Sequence, residues 1–415
     1  MKNNFKTCYI GDICKINENT YSNSDKWNFV NYLDTGNITK NKIENIQFIN
    51  LSLEKLPSRA KRKVKNNNII YSTVRPNQKH FGIIEEQPEN FLVSTGFAVL
   101  DVDCQKANPR FVYYYLTQEN YTNALHAIAE QSTSAYPSIK PSDIGNRKII
   151  LPTLEVQNKI AKVLSALDNK IELNNSINNN LEQQAQAIYE NYVMKYKNNI
   201  YQVGNISLTA NTGADAIQKA PIVDFDTGIK CIRVGDMSNN RDIWSWGYTQ
   251  VTNEVYKQYQ LKRNDILVTR TATLGLNRLV TEDLQAVYNN GLIRLSIDSS
   301  KMLPLLLYRQ FQTKDFRNYI SRIESETSVR PNMKINYLLN YQFDCISITE
   351  QLKLEKILLP IIKKQDNLSK ENNNLTQLRD ALLPKLMSGE IDVENVDISD
   401  LSSADKLSFN DEVNL

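Results

Sequence analysis

INNNLEQQ at 177–184 returns as ENNNLTQL at 371–378, an offset of 194 residues. The same offset carries SAYPSIK (134–140) onto SVRPNMK (328–334) and LEVQNKIAKVL (154–164) onto ITEQLKLEKIL (348–358). Other segments follow in order: VKNNNIIYST (64–73) with LKRNDILVTR (261–270) at 197, and STGFAVLDVD (94–103) with NNGLIRLSID (289–298) at 195. PRFVYYYLTQ (109–118) matches PLLLYRQFQT (304–313) at 195, and YIGDI (9–13) matches QVGNI (202–206) at 193. Collinear matches at a nearly constant offset mean that a whole unit was duplicated, and a unit near 195 residues is far longer than a solenoid repeat. The chain must fold as two like modules in tandem, which agrees with 415 residues being too many for one ordinary core.

Each module has two parts. Residues 1–150 and 199–347 mix short β-rich runs, such as FLVSTGFAVLDV and KCIRV, with Asn, Gly and Ser loops. Each also has a helical segment after Pro109 or Pro304, so both read as α+β globules. Residues 151–198 and 348–391 read instead as helical, with no glycine before Gly389. Steps of three and four place Ile160, Leu164, Leu167, Ile171, Asn178 and Leu181 on one apolar seam. Leu354, Leu358, Ile361, Leu368, Asn372 and Leu375 form the other.

A helix of about 40 residues is roughly 60 Å long and needs a partner of equal length. The second copy supplies one, which predicts two long coiled-coil helices. Antiparallel pairing is expected, because it lets the segment from Tyr192 to Gly204 run straight into the second globule. Asn174, Asn178, Gln365 and Asn372 interrupt the seams near their middles, where buried amides weaken a coiled coil but penalise slipped registers. On this reading the triplet recurs because Asn178 and Asn372 are seam residues, although an asparagine-rich composition alone would also repeat it.

Five cysteines without a CxxC pair and only two histidines, His80 and His126, argue against a disulfide framework and a zinc site, and so for a reducing cytoplasm. MKNNFKTCYIGDICK lacks the apolar core of a signal peptide, and no later run approaches the roughly 18 apolar residues of a membrane span. The expectation is a soluble cytoplasmic protein with no membrane contact. The net charge of +3 conceals a division: residues 1–150 carry 19 basic against 14 acidic groups, residues 199–347 carry 17 against 14, and residues 348–415 carry 8 against 13. Two mildly basic blocks suit a polyanion, as they also suit an ordinary solvated surface. The acidic tail, 392–415, is low in aromatics and expected to be flexible.

Motifs for catalysis are missing. There is no Gly-Lys for a phosphate-cradling loop, no Pro-Pro for the base-gripping motif of amino-methylating DNA enzymes, and no Pro-Asp to open a nuclease motif. Neither histidine has a triad setting.

What the globules do offer is equivalent polar loops. After one strand-like run come Ser72, Thr73, Arg75, Asn77, Gln78 and Lys79, and after its counterpart come Thr269, Arg270, Thr271, Thr273, Asn277 and Arg278. A second loop pair holds Ser134 and Tyr136 in one copy, and Ser328, Arg330 and Asn332 in the other. Arg, Lys, Asn and Gln suit base edges, while Ser, Thr and Lys suit phosphates. The loops differ between copies while their flanks match, as in two readers of different half-sites, and drift in surface loops leaves the same pattern. Arg59, Lys61 and Arg62 lie in SRAKRKVK (58–65), the densest basic run, usable for phosphate contact or simply solvated.

The order of these parts resembles the DNA-specificity subunit of type I restriction-modification systems. The resemblance rests on Leu-Pro-x-Leu-x-x-Gln-x-x-Ile at 151–160 and Leu-Leu-Pro-Lys-Leu-Met-Ser-Gly-Glu-Ile at 382–391, and extends to about Val393. The second helix opens on SITEQLKLEKIL, without the proline. The resemblance implies two target recognition domains separated by two long antiparallel helices, each domain reading half of an asymmetric split DNA site, with the rod setting the unread spacer. It implies two methyltransferase subunits docked on the helical regions, and two restriction subunits where the system cleaves. S-adenosylmethionine, ATP and Mg would then be held only by those partners, and this chain would carry no cofactor and no catalysis. The competing expectation is a coiled-coil scaffold whose globules bind proteins, which the weak net charge and acidic tail would suit equally.

Overall fold

The computed structural model describes residues 5–22, 24–132, 136–326 and 331–393. Ser134, Ser328, Arg330 and the acidic stretch from 394 onward lie outside the described residues. Contacts divide the chain into two compact units, residues 1–172 with 374 onward, and residues 173–373.

In the first unit an antiparallel ribbon joins Lys6–Tyr9 to Lys148–Leu151. One four-stranded antiparallel sheet has the order Cys14–Ile16, Phe97–Val102, Ile69–Ser72, Phe81–Ile83. A second sheet has the order Gln47–Asn50, Phe29–Leu33, Phe91–Ser94, Ala60–Lys63, with its central pair parallel. Alternation along Ile69–Ser72 sends Ile69 and Tyr71 into a core shared with helices Pro109–Leu116 and Glu119–Glu130, while Ile70 joins the core between the sheets. Pro109 opens its helix at a position needing no N–H donor, and Asn108 Oδ1 caps it by accepting from Phe111 N at 3.0 Å.

The second unit repeats this plan. Its ribbon pairs Asn199–Gln202 with Gln342–Cys345, and its helix-packed sheet runs Ser207–Thr212, Leu292–Ile297, Ile266–Thr269, Asn277–Leu279. The outer sheet differs. It runs Ile222–Val223, Gly247–Thr249, Lys230–Ile232, Ala286–Tyr288, so its fourth strand sits on the edge opposite to that used in the first unit. Where the first unit places strand Ala60–Lys63, the second has helix Asn253–Tyr259, whose Tyr259 is buried in the adjoining core.

The two long helices span Leu154–Tyr196 and Ile348–Ser388. The second continues through Pro360 and Pro384, both on exposed positions where a lost N–H leaves its carbonyl partner open to water. Each helix contributes to both units: Ile160, Ala161 and Leu164 join the first core, Ala185, Tyr189 and Val193 the second. In the second unit the helices pair antiparallel, Asn174 meeting Asn372, Glu182 meeting Gln365 and Tyr192 meeting Glu350. In the first unit, Asp168 accepts from Arg379 Nη1 at 2.8 Å and from Tyr114 Oη at 2.6 Å.

Among the seam residues, Ile160, Leu164, Leu354, Leu358 and Leu368 are buried, and Leu167, Ile171, Leu181, Ile361 and Leu375 are half-buried. The polar layer needs a correction. Asn372 bonds Asn174 and Asn175 rather than lying by Asn178, and fully buried Asn174 is its centre. Asn178 takes part through its backbone carbonyl, which accepts from Gln365 Nε2 at 3.3 Å. The cause is register: in an antiparallel pair, residues meet at a constant sum of positions, so the two triplets do not face each other position by position.

Candidate nucleic-acid interface

The two loops that the sequence marks separately in each module are hydrogen-bonded to each other, by the same bonds in both units. In the first unit Ile139 N donates to Thr73 O at 2.9 Å, and Thr73 N donates to Gly96 O at 2.8 Å. In the second, Met333 N donates to Arg270 O at 2.8 Å, and Arg270 N to Gly291 O at 2.9 Å. A β-bridge follows one residue later, Val74 with Ser138 and Thr271 with Asn332. The next residue then turns into the left-handed region, Arg75 at φ +48° and Ala272 at φ +60°. A non-glycine residue there costs about 1–2 kcal/mol, and such strain gathers where a side chain or backbone must be aimed. Each unit thus carries a crest of three strapped segments: a strand exit, a turn ending in glycine, and a returning loop.

In the first crest the cations face outward. Arg75 is exposed, donates its backbone N–H to Pro137 O at 2.9 Å, and lies 5.0 Å from the centre of the exposed Tyr136 ring. Asn77 and Gln78 are exposed beside it, and Lys79, also left-handed, reaches Glu119. His80 braces the loop, its Nδ1–H donating to Ile38 O at 2.6 Å. Arg59 joins the crest because its carbonyl accepts from Thr95 N at 2.8 Å, next to Gly96. Lys61 is exposed and Arg62 half-buried on the strand that follows.

The second crest is built differently. Arg270 is committed to the fold, donating from Nε to Met333 O at 3.2 Å and from Nη1 to Asn290 O at 3.1 Å. Asn277 likewise donates to Gly275 O and Phe311 O, both at 3.1 Å. Arg278 bonds Asn240 Oδ1 at 3.0 Å and lies over Trp246, away from the crest's straps. Thr271 is half-buried, whereas Thr273 and Asn332 are exposed.

Two hydroxyls expected at the interface are not offered to solvent. Ser72 and Thr269 are buried, and each donates into its own turn, Ser72 Oγ to Val74 O at 2.8 Å and Thr269 Oγ1 to Thr273 O at 2.5 Å. They end strands buried on both faces, so their hydroxyls must be satisfied locally, and they shape the loops instead. Thr73 does the same, its Oγ1 donating to Gly96 O at 2.9 Å. The residues that reading by type did not single out are the turns Ser94–Gly96 and Asn289–Gly291; their signal was the glycine shared by STG and NNG in the repeat.

Among the described residues no three His, Cys, Asp or Glu side chains are grouped to hold a metal ion. No helix among them is long and apolar enough to cross a membrane.

Residues 2–183 match the family model described as type I restriction modification DNA specificity domain. The chain is similar to the type I restriction enzyme HindI specificity subunit of Haemophilus influenzae, 23% identical, with 93% of this chain and 99% of that protein covered. It is similar to the type I restriction enzyme MjaIX specificity subunit of Methanocaldococcus jannaschii, 26% identical, covering 69% and 70%. Among solved structures it shares its fold with the type I restriction-modification S subunit from M. genitalium, with a TM-score of 0.56 at 15% identity over 93% of this chain and 97% of that one.

Proposed function

Since the chain belongs to the DNA-specificity subunits of type I restriction-modification systems, we propose that it supplies the sequence discrimination of such an assembly and none of its chemistry. The first globule, 1–150, and the second, 199–347, act as target recognition domains, each reading half of a bipartite, asymmetric double-stranded site through its crest. The helical stretches 151–198 and 348–391 form the antiparallel coiled coil that sets the unread spacer and docks two methyltransferase subunits, with restriction subunits added where the system cleaves. S-adenosylmethionine, ATP and Mg belong to those partners, and the assembly works in the cytoplasm. The acidic tail, 392–415, stays outside the reading surface.

The observation that carries this reading is the twin crest: one strapped backbone lattice, occurring twice, that displays Arg75, Asn77, Gln78 and Tyr136 in one copy and Thr273 and Asn332 in the other. A common scaffold with unlike side chains is what two readers of different half-sites require, each base pair read contributing about 1–3 kcal/mol of discrimination. Exposed Arg59 and Lys61, with half-buried Arg62, suit phosphates flanking the first half-site.

Sequencing methylated adenines in the host genome, with and without this gene, tests the proposal. A gapped two-part motif that vanishes on deletion is expected. A methylation pattern unchanged by deletion would refute the reading, and binding by the assembled complex that ignores sequence would favour the scaffold.

A further inference from the structure

We propose that Gln157 and Gln351 are positioning residues that set the angle at which each long helix leaves its head, and thereby the spacer length the protein accepts. The inference rests on the specificity-subunit reading and deepens it.

Gln157 lies in the first turns of the first long helix and is buried. Its Oε1 accepts from Asn108 N at 2.9 Å, the residue that caps the first head helix, and its Nε2 donates to Pro152 O at 2.8 Å, just past the end of the ribbon strand. Gln351 is buried at the equivalent place on the second long helix. Its Oε1 accepts from Leu303 N at 2.9 Å, and its Nε2 donates to Ile346 O at 3.1 Å. One side-chain amide therefore ties together the same three segments in both units: ribbon end, head helix and long helix.

The surroundings of this clasp have diverged while the clasp has not. The capping Asn108 became Leu303, and Pro152 became Ile346, yet both hydrogen bonds persist. Beside it, the long helix meets the head through apolar residues, Ile160, Ala161 and Leu164 in the first unit and Leu354, Leu358 and Ile362 in the second. Apolar burial is non-directional and resists sliding or rolling weakly, whereas a buried amide bonded at both ends admits one orientation. The leverage is large: a roll of about 3° at the clasp moves the far end of a roughly 60 Å helix by about 3 Å, close to the ~3.4 Å of one base-pair step.

The test uses the complete assembly with its methyltransferase subunits, on duplexes carrying the native half-sites with spacers from two base pairs shorter to two longer. Gln157→Met and Gln351→Met remove both bonds at near-constant volume, and Gln157→Glu keeps the acceptor only. The expected result is unchanged base preference in both half-sites, while the ratio of methylation at the preferred spacer to that one base pair away falls about tenfold, with Gln157→Glu intermediate. Variants that fold and keep the wild-type spacer preference would overturn the inference. So would variants whose methylation weakens equally at every spacer, since that marks a purely structural role. If the wild-type assembly shows no gapped preference at all, the specificity-subunit reading fails instead.

Discussion

Asn174 Nδ2, on the first long helix, donates to Asn372 Oδ1 on the second at 2.9 Å, across a seam where Asn174 has no exposed surface. The same nitrogen bonds Glu371 Oε2 at 3.0 Å, and Asn372 Nδ2 returns a bond to Asn175 Oδ1 at 2.9 Å. A polar layer of this kind weakens an apolar seam and selects its register.

Replacing Asn372 alone with Leu removes bonds on both sides of this layer while Asn174 stays buried, so urea unfolding should show a loss of about 1–2 kcal/mol. The double variant Asn174→Leu/Asn372→Leu should recover that loss or exceed wild type, because a continuous apolar seam replaces an amide that already holds one buried oxygen without a partner. A double variant less stable than either single one would mean that the layer stabilises the pair outright.

The Glu350 carboxyl is held below its ordinary value of 4.5 by Lys353 first and then by the Tyr192 hydroxyl, which donates to it at 2.7 Å from the other helix. A carboxylate favoured in the folded state contributes stability above its unfolded pKa and loses it as pH falls through the lowered folded value. Thermal unfolding followed from about pH 6 to about pH 3 should therefore fall less steeply for Glu350→Gln than for wild type. Parallel curves would disprove this assignment.

Arg75 and Arg270 occupy neighbouring places on equivalent loops but should respond differently. Arg75→Ala removes an exposed cation, so it should leave unfolding within about 0.5 kcal/mol of wild type and reduce the salt dependence of DNA binding by about one phosphate contact. Arg270→Ala strips donors from Met333 O and Asn290 O, so the melting temperature should drop and the second crest loosen. Equal effects of the two changes on stability would contradict this division.

Gly213 has no room for a side chain: a Cβ there would stand 2.3 Å from both Tyr288 O and Asn289 O. Gly213→Ala must push on the turn that supports Arg270, and a destabilisation of about 2 kcal/mol or more is expected in urea, with hydrogen exchange rising first around 288–291. Wild-type exchange in that segment would show that the turn yields without cost.

Much of this architecture was legible because a duplication checks itself. Helical periodicity over 155–195 and 349–388 closely anticipated helices at Leu154–Tyr196 and Ile348–Ser388, since a long seam sums many weak preferences. The location of the four polar loops was legible too. Their mutual strapping was not, because Thr73 and Ile139 are joined by a backbone bond across 66 residues and no side-chain pattern announces it. Nor does residue type reveal commitment: Arg75 and Arg270 read alike until one is found over an exposed tyrosine and the other bonded to two carbonyls.

The chain's own order of residues determined that there are two modules, that each ends in a long amphipathic helix, and where the variable loops lie, since periodicity and repetition are properties of a line. Tertiary structure alone decided which asparagines meet, which arginines remain available, and that the basic run forms a strand in one unit where the other has a helix. Those outcomes depend on what lies across a core or a seam, and neighbours in space are chosen by packing and by the satisfaction of buried polar groups.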